Sequence, residues 1–180
     1  MNQKMCTEEM LKAFIQLRGY VRISEAPHIV YHPARDIKIQ IFICQQDKLD
    51  MNYFYKSYEQ LAQPDEATSS STPHVSHLIF IYNIATIQIK KLKMYKDILK
   101  IEFFNENELR RLLTGHRLIP RHIQVDQPTR AEIIQKFGRD NLPMILHTDP
   151  IVKLYDFDLD AVLQIERPDG LYYRLVVADE

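Results

Sequence analysis

Cysteine is nearly missing: Cys6 and Cys44 are the only two in 180 residues. Two cannot build a disulfide framework, and they fit a reducing compartment. Glycine is almost as scarce, at four. No GxGxxG, P-loop or GxSxG spacing occurs, which removes the common phosphate-cradling loops and the hydrolase nucleophile elbow. No Cys/His pair has the spacing of a nucleophile and its base. No apolar run approaches the roughly 20 residues of a bilayer-spanning helix, and no signal-peptide pattern opens the chain, so no membrane partner is expected. Charge of either sign is lacking in excess: 23 Lys+Arg against 24 Asp+Glu leave a net charge of −1. That excludes a global basic footprint for nucleic acid. No internal repeat is visible.

What is present suffices for a core. Forty-six per cent of residues are hydrophobic, with ten tyrosines and eight phenylalanines, enough for one domain or two small ones. Divided after Gly115, the chain has 15 Lys and Arg against 13 Asp and Glu before, and 8 against 11 after. Thr7 caps a helix with Met10, Leu11, Phe14 and Ile15 as its buried stripe, and Gly19 follows its end. Tyr20 to Ile23 reads as a short strand. Ile37, Ile39, Ile41 and Ile43 alternate at the period of a strand. Leu49, Tyr53, Phe54, Tyr58 and Leu61 fall at helical spacing, and residues 63–73 are too polar and proline-rich to bury much. Val75 to Tyr82 is nearly continuous apolar sequence, as in a central strand. Thr86 to Lys100 is basic and fits helix or strand. Ile98 to Phe104 reads as a strand, and Asn105 with Glu108 caps the next helix.

From Gly115 onward the local signals describe a strand–helix–turn–helix–hairpin module. Pro128 opens a helix, with Thr129 and Glu132 as a capping-box pair one step in. Ile133, Ile134 and Phe137 give a short apolar stripe that Gly138 stops. Asp149 and Pro150 start a second helix. Val162, Leu163 and Ile165 lead into a turn at Pro168-Asp169-Gly170, followed by the strand-like run Leu171 to Val177.

The ordered set His116, Leu118, Pro120 and His122, then Leu142, Pro143 and Ile145, then Asp149, Pro150, Tyr155, Arg167, Tyr173 and Arg174 resembles a known pattern. It is similar to the C-terminal assembly domain of the small subunit shared by eukaryotic RNA polymerases I, II and III, a family with an archaeal counterpart. Upstream, Ile101 to Glu106 with Leu109 and Thr114 is similar to that family's join between domains. Leu78 to Tyr82 looks like the strand before it, and Arg18-Gly19-Tyr20 like the start of the eukaryotic form. The resemblance implies an α+β chain of two domains. Residues 1–115 would be an N-terminal nuclease-like α/β jaw domain without an active site, and 116–180 a small C-terminal mixed α+β assembly domain.

Several constellations invite chemistry. Asp156, Asp158 and Asp160 alternate as at the start of a calcium loop, but Ala161 and Arg167 stand where its glycine and glutamate belong. An acidic, solvated turn is the reading, and family relatives carry a basic pair and a glycine there instead. His28 with His32, and His74 with His77, lack the cysteine or glutamate partners of a zinc site. His116 and His122 read as a structural pair around the Pro120 bend. Pro64-Asp65 follows rather than precedes Asp36-Ile37-Lys38, the wrong order for a nuclease. No metal and no cofactor are expected. Lys90, Lys91, Lys93, Lys96 and Lys100 form the one basic concentration, a solvated face or a phosphate contact.

The resemblance implies a non-catalytic subunit of a multisubunit DNA-directed RNA polymerase in transcription. It would not be a homo-oligomer. Its C-terminal domain would dock on the largest subunit through His116, Leu118, Pro120, His122, Asp149, Pro150, Tyr155, Arg167, Tyr173 and Arg174. Its N-terminal domain would form the lower jaw near downstream duplex DNA, with Thr86, Lys90 and Lys91 closest to phosphate. The nucleus is the expected location of a cellular copy, and host cytoplasm and virion that of a viral one. The alternatives are a free-standing nuclease-like or nucleic-acid-binding protein, and an adaptor that borrowed the assembly module.

Overall fold

Period-two alternation of isoleucine and phenylalanine sets the first sheet in the computed structural model, which describes residues 7–25, 27–44, 48–62, 75–85, 99–113 and 119–179. The chain is mixed α+β and divides into two compact units, Met1–Leu113 and Thr114–Glu180. Among the described residues no helix is long and apolar enough to cross a membrane.

The first unit is built on five strands. β1 (Val21–Glu25) and β2 (His28–His32) pair antiparallel, and β2 pairs antiparallel with β3 (Ile37–Ile43). A two-residue strand β4 (Lys48–Leu49) precedes the crossover to β5 (Val75–Tyr82), and β4 pairs in parallel with β6 (Ile84–Ala85). β5 lies parallel to β3 on one side and to β7 (Lys100–Asn105) on the other, giving the order β1-β2-β3-β5-β7. The apolar run of β5 is explained by this interior place, between two parallel neighbours and with both faces covered.

Successive side chains of a strand point to opposite faces, so each strand serves two cores. Ile101 and Phe103 of β7 join Phe42, Leu78 and Phe80 against Phe54 of α2 (Met51–Ala62). Phe80 is stacked at 5.0 Å on Phe42 and 5.5 Å on Phe103, with Phe54 5.4 Å away. Glu102 and Phe104 point the other way, toward α1 (Thr7–Leu17), where Phe14 meets Phe104 edge-on at 5.3 Å. Gly19 ends α1 with a positive φ of 65°, a conformation that favours glycine. The expected Asn105 cap opens α3 (Glu106–Leu113): its side-chain oxygen accepts from the N–H groups of Asn107 and Glu108 at 3.0 and 3.2 Å. Thr7, Glu106 and Arg110 tie α1 to α3.

The second unit is a four-stranded sheet between two helices. β8 (Arg121–Gln124) leads to α4 (Gln127–Phe137), a short 3-10 turn at Arg139–Asn141, and β9 (Met144–Leu146). Then come α5 (Pro150–Tyr155), β10 (Val162–Arg167) and β11 (Gly170–Val177). The order is β8-β10-β11-β9, with β9 parallel to β11 and the other pairs antiparallel. Ile133 of α4 packs with Val162 and Leu175 on one face, while Val152 of α5 packs with Leu163 and Val176 on the other.

Two local expectations change. The cap of α4 is Asp126, whose carboxylate accepts from Thr129 N–H at 3.0 Å. Thr129 therefore lies inside the helix and does not form a capping box, because Asp126 already satisfies that N–H. The stretch from Leu142 to Ile145, read as part of a turn, holds the edge strand β9. At three residues it is too short to show alternation. Asp149 is the cap expected for α5, accepting from Ile151 N–H at 2.8 Å.

Candidate functional site

The register of the second sheet decides which predicted residues meet. Ile165 of β10 is opposite His122 of β8 on one side and Tyr172 of β11 on the other. Two residues along β10 from Ile165 is Arg167, and two along β11 from Tyr172 is Arg174, opposite Leu163. All share the face on which α5 packs, and α5 covers the Leu163 and Val176 end of it. Toward the hairpin end Ile165 is buried, His122 and Arg174 are half-buried, and Arg167 and Tyr172 are exposed.

Each polar group at the hairpin end has a defined environment. The Arg167 guanidinium lies 4.8 Å above the Tyr172 ring, and the Tyr172 hydroxyl donates to Asp169 at 2.6 Å, which raises its pKa. His122 Nδ1 is 2.8 Å from the Pro120 carbonyl oxygen. A carbonyl only accepts, so Nδ1 carries the proton and Nε2 is the free ring atom. Burial lowers the His122 pKa; the Pro120 carbonyl and Asp149 raise it, and Arg174 and Arg167 lower it further, for a net decrease. The imidazole is therefore neutral near pH 7. Because its folded-state pKa is depressed, its contribution to stability is present above about 6.5, the ordinary histidine value, and is lost as pH falls. An NMR titration of the ring should give a midpoint below that ordinary value, and Arg174→Gln should move it upward. An unmoved midpoint would place Arg174 away from His122.

The other predicted interface residues have local work. Asp149 and Pro150 open α5, and Tyr155 near its end stacks on Phe157 at 5.2 Å. Tyr173 and Arg174 do not cluster as sequence neighbours suggest. Strand alternation turns Tyr173 to the opposite face, where it packs against Phe137 of α4 at 6.3 Å. His116 and Leu118, and the DNA-contact candidates Thr86, Lys90 and Lys91, lie outside the described residues.

The acidic turn is also a tether. Asp160, in a left-handed conformation at φ 63°, receives Arg130 of α4 and, at 2.6 Å, Arg139 of the 3-10 turn. The Arg139 hydrogen bond heads the causes that lower its pKa. Gln124 reaches Asp158 at 3.4 Å. These carboxylates are engaged by protein donors, and among the described residues no group of three or more His, Cys, Asp or Glu side chains could hold a metal ion. His28 takes Arg22 at 3.1 Å, and His32 lies 5.3 Å from the Tyr20 ring.

Sequence reasoning missed one cluster entirely. In the first unit Arg18 grips Glu102 in two places, at 3.1 and 2.6 Å, and donates to the Tyr20 hydroxyl at 2.8 Å. Its guanidinium sits 4.9 Å from the Phe14 ring centre and 5.4 Å from that of Phe104. His77 Nε2 approaches Glu102 at 2.7 Å, the distance of an ion pair, although the angle is not that of a hydrogen bond. Burial pushes the Glu102 carboxyl up, but Arg18 and His77 overcome it and hold the carboxyl well below the usual range. This carboxylate is taken by Arg18, with His77 Nε2 beside it, which makes it a fastening between the end of α1 and β7. The 84-residue separation of Arg18 and Glu102 leaves no local signal for it.

Comparison with known proteins bears on the second unit. Residues 111–177 match the family model described as RNA polymerase Rpb5, C-terminal domain. The chain is 34% identical over 84 residues to the DNA-directed RNA polymerases I, II, and III subunit rpabc1 of Dictyostelium discoideum, covering 43% of each chain. It is also 34% identical to subunit RPABC1 of Caenorhabditis elegans, over 43% of this chain and 40% of that one. The match thus spans less than half the length of these polymerase subunits. An uncharacterized protein, 092R, of Invertebrate iridescent virus 3 is 25% identical over 93% of this chain and 98% of its own.

Proposed function

We propose that this chain, whose residues 111–177 match the C-terminal domain of RNA polymerase Rpb5, is a non-catalytic subunit of a multisubunit DNA-directed RNA polymerase. Its second unit assembles on the largest subunit. Its first unit, a mixed sheet in a nuclease-like arrangement, forms part of the lower jaw near downstream duplex DNA. The observation that carries the reading is a coincidence of boundaries: the family match ends at 177 and begins three residues before the unit that starts at Thr114. That same unit bears Arg167, Arg174, His122 and Tyr172 on one face of its sheet. Arginine and tyrosine are enriched at interface hot spots.

The described residues of the first unit offer little to a free-standing nuclease. Glu102, its buried carboxylate, is bound by Arg18 and His77. The Lys90–Lys100 run would contribute phosphate contacts without base reading, and it belongs to the jaw in this proposal. Similarity to an iridescent virus protein along nearly the whole chain favours a viral copy, acting in host cytoplasm and packaged in the virion; a cellular copy would act in the nucleus.

The test is recovery of the affinity-tagged full chain from cells that make its polymerase, followed by native mass measurement. The expected result is one copy of this chain in a complex containing the largest polymerase subunit. Nucleic acid alone, or partners without a polymerase large subunit, would overturn the reading.

A further inference from the structure

One guanidinium joins three elements at a corner of the first unit. Arg22 of β1 donates from Nη1 to Glu8, in the first turn of α1, at 2.8 Å. Its Nη2 lies 3.1 Å from Nδ1 of His28, the first residue of β2. The Arg22 side chain is 21% exposed, so water replaces these partners poorly.

An arginine only donates. His28 Nδ1 is therefore the acceptor, the ring proton is on Nε2, and the imidazole is neutral. Arg22 Nε is buried without an acceptor among the described residues. Loss of His28 as an acceptor would leave Nη2 short as well, and an unanswered buried donor is costly.

A proton that enters this imidazole goes to Nδ1, the atom that accepts from Arg22. The hydrogen bond then gives way to two cations in contact. Charged groups face His28 from α1, where Glu8 has Lys12 4.0 Å away, and from β1, as Arg22 and Glu25. β3 brings only the apolar Ile41 opposite it. Glu25 is the cross-strand partner of His28, and its carboxylate lies 3.9 Å from Arg22 Nη1. An acceptor for an imidazolium is thus already in place.

We propose that this corner is a proton-operated clasp on the edge hairpin of the first sheet. With His28 neutral, Arg22 ties β2 and α1 to β1. With His28 protonated, Arg22 is expelled from Nδ1. The imidazolium then pairs with Glu25 and competes with Arg22 for Glu8, which frees the β1–β2 hairpin from α1. The clasp belongs to the chain itself and does not depend on the proposed assembly.

Burial, then the Arg22 charge, holds the His28 pKa below its ordinary value, against the pull of Glu8 and Glu25. The clasp is therefore closed above about 6.5, the ordinary histidine value, and opens as pH falls through the lower folded-state value.

The test is NMR and amide exchange on the full chain between about pH 7.5 and 5.5, above the range in which ordinary carboxylates take up protons. At the upper end the ring nitrogen shifts of His28 should show an unprotonated Nδ1. On acidification, exchange of the β1 and β2 amides, corrected for its intrinsic pH dependence, should rise roughly threefold to tenfold. That lies between the worth of an exposed ion pair and that of a hydrogen bond to a buried charge.

His28→Gln keeps an acceptor for Arg22 and takes up no proton, so its corrected exchange should stay flat. Arg22→Gln removes the repelling charge and should raise the His28 midpoint toward the ordinary value. His32→Gln, at the other end of β2, should keep the acid response. A protonated Nδ1 at the upper pH overturns the clasp. So does an acid response that persists in His28→Gln or disappears in His32→Gln. Should His28→Gln fail to fold, the wild-type tautomer and the Arg22→Gln midpoint decide, and a midpoint that does not move overturns the inference.

Discussion

Arg18→Ala should destabilise the first unit by about 3–5 kcal/mol, the cost of breaking a buried pair and stranding its partner. The side chain of Arg18 is 1% exposed and that of Glu102 11%, so neither can be rescued by solvent. The substitution also takes a donor from the Tyr20 hydroxyl and removes the cation above the Phe14 and Phe104 rings. Among the described residues Glu102 then has His77 and, at 3.7 Å, Lys100 beside it. Two controls separate the pair from its packing. Arg18→Met with Glu102→Leu removes both charges at similar volume and should recover most of the loss.

The second control is pH. The Glu102 carboxyl is depressed in the folded state, so its contribution is present above the ordinary glutamate value of about 4.3 and is lost as pH falls below it. That acid-sensitive part of the stability curve should vanish in Arg18→Ala. Urea midpoints from pH 3 to 7 measure both effects. A loss below about 1 kcal/mol, or an unchanged pH dependence, would show that the guanidinium is dispensable.

The legibility of this chain followed the range of the interaction. Strands with long apolar alternation, such as Ile37–Ile43 and Val75–Tyr82, announce themselves because each residue repeats the signal. Caps are legible where one residue type does one job, as Asn105 and Asp149 do. They blur where candidates crowd, as Asp126 and Thr129 do just before and inside α4. The site was half legible. Arg167, Arg174 and His122 were singled out by resemblance, yet their gathering around Ile165 depends on cross-strand register, which no local pattern states. Period two alone separates Tyr173 from Arg174, and applying it to Leu171–Val177 would have turned Tyr173 toward α4. The Asp160 tether and the Arg18–Glu102 pair join elements far apart in sequence, where one-dimensional reading has no purchase.

Phe80→Ala should cost about 3–5 kcal/mol, the usual loss for a buried phenylalanine. Phe80 is 1% exposed in the middle of the interior strand β5. Phe42, Phe54 and Phe103 surround it at 5.0, 5.4 and 5.5 Å, three rings on three elements that cannot all close on the cavity. Such a loss is comparable to the roughly 5–15 kcal/mol by which a whole domain is stable. If the two units fold separately, the damage belongs to the first alone. Calorimetry of the variant should then show one transition moved down or lost and the other in place, the second unit being held by its own cores on both sheet faces. The functional consequence follows from the proposed assembly. A second unit that keeps its fold keeps the sheet face that carries Arg167 and Arg174, so Phe80→Ala should still bind the largest polymerase subunit at a temperature where its first unit is largely unfolded. Loss of both transitions together would mean that the units fold as one. Retained transitions with lost binding would move the docking surface to the first unit.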